Sequence, residues 1–286
     1  MDGGAVFRGE ITSGYRSPLS PNRGMVQSKA MQTLAPQLAP PIAGTTSIGI
    51  YGSAGRMGRA IGDAIEAAGA TLAGGVDAGE DPAPLARTAN VLVDFSTASA
   101  IEAHLSAARA AGTAIVIGTT GLSPQHQSMI DDAAKDIAIL QTGNTSLGVT
   151  LLGILVREAA ARLGPDWDVE IVEMHHKHKV DAPSGTALLL GDAAAKGRGS
   201  SLAELRVDSR AGLVGARTEG TIGFASLRGG SVIGDHSVIF AGEGERIELN
   251  HRGDDRSIFA RGAVRAAIWL AEQPAGRYRM GDVLGL

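Results

Sequence analysis

The stretch EIVEMHHKHKVDAPSGTA, residues 170–187, sets Glu173, His175, His176, His178, Lys177 and Lys179 just ahead of an Asp-Ala-Pro-Ser-Gly-Thr turn. The chain has seven histidines and three stand here, so a metal site, an acid/base cluster and a solvated loop all compete for the segment. A metal needs converging ligands. Adjacent histidines on a strand face opposite ways, nearby lysines repel a cation, and the chain has no cysteine, so no metal is expected. Pro183, Ser184, Gly185 and Thr186 should open a helix, leaving the backbone N–H groups of Gly185 and Thr186 to receive an anion. With His175, His176 and Lys179 beside that turn, the cluster can hold a carboxylate and deliver a proton. His178 is expected to be exposed and dispensable.

A second set of residues lies far upstream. In GIYGSAGRMG, residues 49–58, Gly52, Gly55 and Gly58 punctuate a turn between an apolar run and a helix-forming one. Such a turn lets a pyrophosphate approach backbone N–H groups at a helix N-terminus. The spacing is G-x-x-G-x-x-G, with Ala54 where the dinucleotide fingerprint has its second glycine. Asp77, about 20 residues on at the end of the next strand-like run, is placed to bind ribose hydroxyls.

Both sets need elements to carry them. From residue 47, apolar strand-like runs alternate with amphipathic helical ones: a helix with Ile61, Ile65 and Ala68 inward, strands at ATLAGGVD, ANVLVDFS, TAIVIGTTG and IAILQTGNTS, and a long helix from Leu147 to about Leu163. That alternation predicts a doubly wound parallel sheet. After Gly164 come a strand at WDVEIVEMHH and a helix at SGTALLLGDAAAKG, with Gly197 as its stop signal. Strands at TIGFASLRGG, GDHSVIFAGEGE and RIELNHR, separated by glycine turns, predict an antiparallel or mixed sheet in a second domain. The last helix, SIFARGAVRAAIWLAEQ, has Ser257 as its candidate N-cap and the length and apolar face to cover the first sheet.

Composition bounds the alternatives. Aromatic residues are only 3% of the 286, so Ala, Val, Ile and Leu must build the core. A net charge of −4 argues against nucleic acid as a partner, and no apolar run is long enough to span a membrane. The lack of cysteine fits a reducing cytoplasm. Residues 1–45, rich in Pro, Ser and Gly, read as a disordered extension, with Met25 or Met31 as alternative starts; an organelle transit peptide is the competing reading.

The segment EMHHKHKVDAPSGTA closely resembles the E-x-H-H-x-x-K-x-D-A-P-S-G-T-A signature of the 4-hydroxy-tetrahydrodipicolinate reductase (dihydrodipicolinate reductase) family. The similarity extends to GSAGRMG, VIGTTG, GTIGFASLRGG and NHRGDDRSIFARGAVRAAIWL, covering most of residues 47–286. The resemblance implies an α/β fold, a Rossmann-type doubly wound parallel sheet with a second mixed α/β domain, assembled as a homotetramer. It divides the chain into a dinucleotide-binding domain, residues 46–146 and 256–286, and a substrate-binding and oligomerisation domain, residues 147–255. It implies NAD(P)H-dependent reduction of a cyclic dicarboxylate on the diaminopimelate route to lysine.

Carried over by position, the resemblance makes His175 a proton donor/acceptor and Lys179 a proton donor. His176, Gly185 and Thr186 would bind the dicarboxylate. Gly52, Ser53, Ala54, Gly55, Arg56 and Met57, with Asp77, would hold the pyrophosphate and adenosine ribose. Gly118, Thr119 and Thr120, then Thr142, Gly143, Asn144 and Thr145, would line the nicotinamide side. NADH is expected to be preferred over NADPH, because Ala78, Gly79, Glu80 and Asp81 follow Asp77 and supply no cation for a 2′-phosphate; Arg56, on the glycine turn, is the one nearby cation that could soften the penalty. Another two-domain NAD(P)-dependent dehydrogenase and a non-catalytic dinucleotide sensor remain the alternatives. Neither explains the Ser-Gly-Thr turn beside paired histidines together with an intact Lys179.

Overall fold

The computed structural model describes residues 45–286, so the extension expected over residues 1–45 lies almost wholly outside the described residues. The chain begins as alternating strand and helix: β1 (Ser47–Tyr51), α1 (Arg56–Ala67), β2 (Thr71–Val76), α2 (Ala83–Thr88), β3 (Val91–Asp94), α3 (Ile101–Ala111), β4 (Ala114–Ile117), α4 (Pro124–Ala133) and β5 (Ala138–Gln141). It continues through α5 (Leu147–Leu163), β6 (Asp168–His175), α6 (Gly185–Gly197), α7 (Leu202–Leu205), β7 (Arg206–Asp208), β8 (Ile222–Arg228), β9 (Gly234–Gly242) and β10 (Glu245–Gly253). Helix α8 (Ser257–Leu270), β11 (Gly276–Tyr278) and α9 (Met280–Val283) complete it.

Six strands form one parallel sheet in the order β11-β5-β4-β3-β1-β2. Its central strands are nearly continuous apolar runs, as expected when helices cover both faces, with the buried Asp94 at the end of β3 as the charged exception. On one face Ile48, Ile50, Val91 and Val93 pack with Ile61 and Ile65 of α1 and with Ala263, Val264 and Ala267 of α8. On the other, Leu92, Ile115 and Ile117 pack with Ile101 and Leu105 of α3 and Ile130 of α4. The second sheet has the order β10-β9-β6-β8-β7 and is mixed: β6 and β8 run parallel, whereas β9 is antiparallel to both β6 and β10. Helices α5 and α6 cover one of its faces through Leu152, Val156, Leu190 and Ala194.

Several local expectations need correcting. Gly197 ends α6 where expected, but not as a left-handed cap. It is the last helical residue, and a Cβ there would lie 2.4 Å from the Arg157 carbonyl oxygen, so glycine is required by the close approach of α6 to α5. The left-handed backbone comes two residues later at Gly199, with φ +70°. Ser257 is the first helical residue of α8 rather than its cap; Arg256 stands at the N-cap without a side-chain cap, and Asp255 Oδ1 accepts the Ser257 N–H at 2.6 Å. Ala68 lies one residue beyond α1 and is exposed, and Ala64 takes the inward position. Short elements escaped the periodicity: α2, α7, β7, β11 and α9 have six residues or fewer, too few to establish a period.

Candidate active site

The strands of the parallel sheet all end in the same direction, and the strand order reverses between β1 and β3. The turn after β1 is held from within and from outside. A Cβ on Gly58 would lie 2.2 Å from the Gly52 carbonyl oxygen, so only glycine lets α1 start this close to the turn. From the end of β2, Asp77 accepts from Ser53 Oγ at 2.6 Å and from the Ala54 N–H at 3.0 Å. Gly55 is the N-cap of α1, which has no side-chain cap and no acidic residue in its first turn. An uncapped helix start free of acids suits an anion, so the turn fits a dinucleotide pyrophosphate.

The ends of β3, β4 and β5 converge on a cavity of about 450 Å³. Met57, Gly118, Thr120, Thr142, Gly143, Asn144 and Thr145 line it from the first sheet, and His175, Lys179, Gly185 and Thr186 from the second. Thr119 is turned away: its hydroxyl donates to the buried Asp94 carboxylate at 2.8 Å. Thr145 contributes to the wall, but its hydroxyl donates to the Phe259 carbonyl at 2.7 Å. Gly52, Ser53, Ala54, Gly55, Arg56 and Asp77 lie along the turn outside this cavity's lining, where the adenosine half of a dinucleotide would run. Asn144 links the two walls, its Nδ2 donating to Thr186 Oγ1 at 3.0 Å while its Oδ1 accepts from the Ser146 N–H at 2.8 Å.

Strand β6 delivers the charged groups. Its residues alternate between buried and half-buried, so Glu173 and His175 share the inward face. His175 Nδ1 lies 2.5 Å from Glu173 Oε2. A carboxylate only accepts, so Nδ1 carries the proton and Nε2 is left as the exchangeable nitrogen. Arg228 Nη1 and Nη2 donate to the two Glu173 oxygens at 2.9 and 2.8 Å. Burial pushes the Glu173 carboxyl up, but the hydrogen bonds from Arg228, Ser226 and His175 outweigh it and hold the group below its ordinary range. Beside Nε2 the chain passes at Gly234, where a Cβ would sit 3.0 Å from that nitrogen.

After β6 the chain turns. Lys179 Nζ pairs with Asp181 Oδ1 at 2.8 Å, a bond that holds the Asp181 carboxyl low. Ser184 caps α6, accepting from the Ala187 N–H at 3.1 Å and leaving the Gly185 and Thr186 amides at the helix start to other acceptors. His176 follows the last residue of β6 and is not among the residues lining the cavity; burial lowers its proton affinity, and neighbouring positive groups, Arg256 foremost, lower it further. His178 is exposed. Among the described residues no group of three or more His, Asp or Glu is placed to hold a metal ion.

Phe95, Leu189 and Phe259 also line the cavity, and sequence reasoning assigned them no role; Ser184 lines it too and was expected only to open the helix. Ser184 was within reach as a cap signal. Arg228 was not: it lies opposite His175 only through the pairing of β6 with β8, 53 residues away in sequence.

Family models match both parts of this chain. The model described as "Dihydrodipicolinate reductase, N-terminus" matches residues 46–145, and "Dihydrodipicolinate reductase, C-terminus" matches residues 148–284. The chain belongs to the dihydrodipicolinate reductase family. Among family members, the 4-hydroxy-tetrahydrodipicolinate reductase of Zymomonas mobilis is 53% identical over 249 residues, covering 85% of this chain and 98% of that protein. That of Methylocella silvestris is 52% identical over 236 residues, covering 81% of this chain and 87% of its own length. In fold, the chain is similar to the dipicolinate-bound dihydrodipicolinate reductase from Paenisporosarcina sp. TG-14, with a TM-score of 0.66 at 22% identity over 82% of this chain and 98% of that one. A probable dehydrogenase from Thermotoga maritima shares the fold more distantly, with a TM-score of 0.54 at 14% identity over 83% of this chain and 92% of its own. The family's C-terminal part includes α8 and β11, which pack on the first sheet; the family boundary follows the chain rather than the packing.

Proposed function

We propose that this chain catalyses the NAD(P)H-dependent reduction of 4-hydroxy-tetrahydrodipicolinate to tetrahydrodipicolinate, on the diaminopimelate route to lysine. One observation carries the reading. A single cavity combines the β5 end, the His175 ring with its Glu173 support, the Lys179 ammonium and the open amides of Gly185 and Thr186. That set suits a dicarboxylate facing a coenzyme, and family membership supplies the particular substrate.

A bound reduced nicotinamide supplies the hydride. The residues of the chain do the rest. The Gly185 and Thr186 amides, at the positive end of α6, clamp a carboxylate, with His176 helping at the rim. Lys179 stabilises negative charge developing on the substrate and donates the proton the reduced ring requires. His175, held by Glu173 through Nδ1, exchanges a proton through Nε2. Gly52–Met57 cradle the pyrophosphate, and Asp77 accepts from ribose hydroxyls with the lone pairs that Ser53 and Ala54 leave open.

NADH is the preferred coenzyme. Asp77 is followed by Ala78, Gly79, Glu80 and Asp81, and Glu80 Oε2 already accepts the Asp77 N–H at 2.7 Å, adding negative charge beside the ribose site. Arg59 is occupied by the Ala54 carbonyl, which it meets at 3.0 and 2.7 Å. The division into residues 46–146 with 256–286, and 147–255, is part of the same reading. So is a homotetramer built by the strands between about residues 207 and 251, on the face of the second sheet opposite α5 and α6, where Ala225 and Ser237 flank Val172. Light scattering at micromolar concentration tests the assembly, and a monomeric mass would contradict it.

An assay coupled to the synthase that makes the substrate, following oxidation of the reduced coenzyme, tests the activity. Turnover supports the proposal. Coenzyme binding without turnover would favour a sensor, and turnover only on another substrate would favour a different dehydrogenase.

A further inference from the structure

His236 is a buried titratable residue that the reaction as described does not use. It sits on β9, is only 4% exposed, and places its ring edge-on to His175 with centroids 5.2 Å apart. Its Nε2 lies 3.0 Å from Ser184 Oγ, and its Nδ1 is buried without a partner.

Those contacts fix the protons. Ser184 Oγ has two lone pairs and one hydrogen, and one lone pair is taken by the Ala187 N–H. If His236 carried its proton on Nδ1, a buried N–H donor would be orphaned; with the proton on Nε2, only a lone pair goes unused, which structures tolerate better. The cation would orphan the same Nδ1–H, and burial, with the neighbouring His175 next, lowers the His236 pKa to about 4. The ring is therefore neutral, with Nε2–H donating to the second lone pair of Ser184. Both serine lone pairs are then filled, and its own hydrogen has to point elsewhere. Ser184 lines the cavity next to the Gly185 and Thr186 amides.

We propose that His236 is a positioning residue for the reductase reaction: as the neutral Nε2–H tautomer it turns the Ser184 hydroxyl into a donor aimed at the substrate carboxylate. This deepens the proposed function and rests on it for the identity of the substrate. A Ser-His pair at this distance also resembles an activated nucleophile, but the tautomer argues otherwise. A histidine donating to the serine cannot take its proton, and the unpartnered Nδ1 has no carboxylate to orient it. The arrangement recurs next door. His251 pairs with His236 across β9 and β10, and its Nε2 lies 3.5 Å from Ser146 Oγ, the cap of α5.

The test uses the full chain and three readouts. Long-range ¹H–¹⁵N spectra should show His236 Nε2 protonated and Nδ1 bare near neutral pH; a protonated Nδ1 would overturn the proposal whether or not the chain turns over. His236→Phe should raise KM for the dicarboxylate, and weaken dipicolinate binding, by about tenfold or more, with the coenzyme KM unchanged. His236→Gln, which can return a donor near the Nε2 position, should recover most of that loss. In a Ser184→Ala background, His236→Phe should cost little more. Equal losses with and without the serine, or a wild-type-like KM in His236→Phe, would overturn it. A wild-type chain that neither turns over nor binds dipicolinate would instead sink the substrate assignment, leaving the tautomer result to stand or fall by itself.

Discussion

Arg228 grips Glu173 at both oxygens, at 2.9 and 2.8 Å, and the same guanidinium donates to the Asp181 carbonyl at 2.7 Å. One side chain thus holds the carboxylate beneath His175 and the loop that carries Lys179. Glu173 is 1% exposed, so removing its partner leaves a buried charge with little compensation. Arg228→Met should cost about 3 kcal/mol in urea unfolding. Arg228→Lys should recover only part of it, because an ammonium cannot make the paired contact. Unchanged stability in Arg228→Met would show the pair to be incidental.

The same pair makes a pH prediction. Glu173 is held low when folded, whereas a free glutamate titrates near 4.3. Its stabilisation is complete above the unfolded value and is lost as pH falls through the lower folded one. Wild-type stability should therefore start to fall as pH drops below the free glutamate value and keep falling through the lower folded one, and Arg228→Met should flatten that drop. Urea titrations across the range check the slope.

His236 acts in a higher window. Its folded pKa is about 4 and an unfolded histidine titrates near 6.5, so between these values the unfolded chain binds more protons. The contribution is complete above about 6.5 and lost as pH falls to the folded value, on the order of 3 kcal/mol in full. His236→Phe should be less pH-sensitive in that interval than the wild type, measured by the same titrations. An unaltered slope would mean that His236 titrates normally in the folded chain.

Lys179→Ala should lose about 100-fold or more in kcat, as expected when a general acid is removed. Asp181→Asn removes only the ion-pair partner, which is itself largely exposed, and should leave most of the rate. Near-normal turnover by a folded Lys179→Ala enzyme would reject the role.

Coenzyme choice is read from kcat/KM for NADH and NADPH. A 2′-phosphate would meet Asp77 and Glu80 with screening from solvent, so discrimination should be about tenfold in favour of NADH. Ala78→Arg should move the ratio toward NADPH. A clear NADPH preference in the wild type would refute the argument.

The long periodic elements were legible because each carries its own signal. The helix from Leu147 to about Leu163 is legible from its own apolar periodicity, and the structure ends it at Leu163 with Ser146 as its N-cap. The Ser-Gly-Thr turn was legible for the same local reason. Contacts fixed by strand pairing were not: nothing near Glu173 announces Arg228, and nothing near Ser184 announces His236, which reaches it across 52 residues. Thr119 shows another limit of local reading. Its neighbours suggested a coenzyme contact, yet a buried acid, Asp94, takes its hydroxyl.

The alternation along β6 gives the strand a parity that evolution and engineering must both respect. Odd-numbered positions from Val169 to His175 face the helices, and even-numbered ones the other side. Deleting one residue between Asp168 and Glu173 would exchange the two sides, burying Met174 and His176 and expelling Glu173 and His175 together. Length changes here should therefore be absent from any functional variant library, because one of them displaces Glu173 and His175 together whereas a substitution alters a single position. Insertions belong instead in the exposed turn at Glu243 and Gly244 between β9 and β10, where the count of residues assigns no side chain to a face.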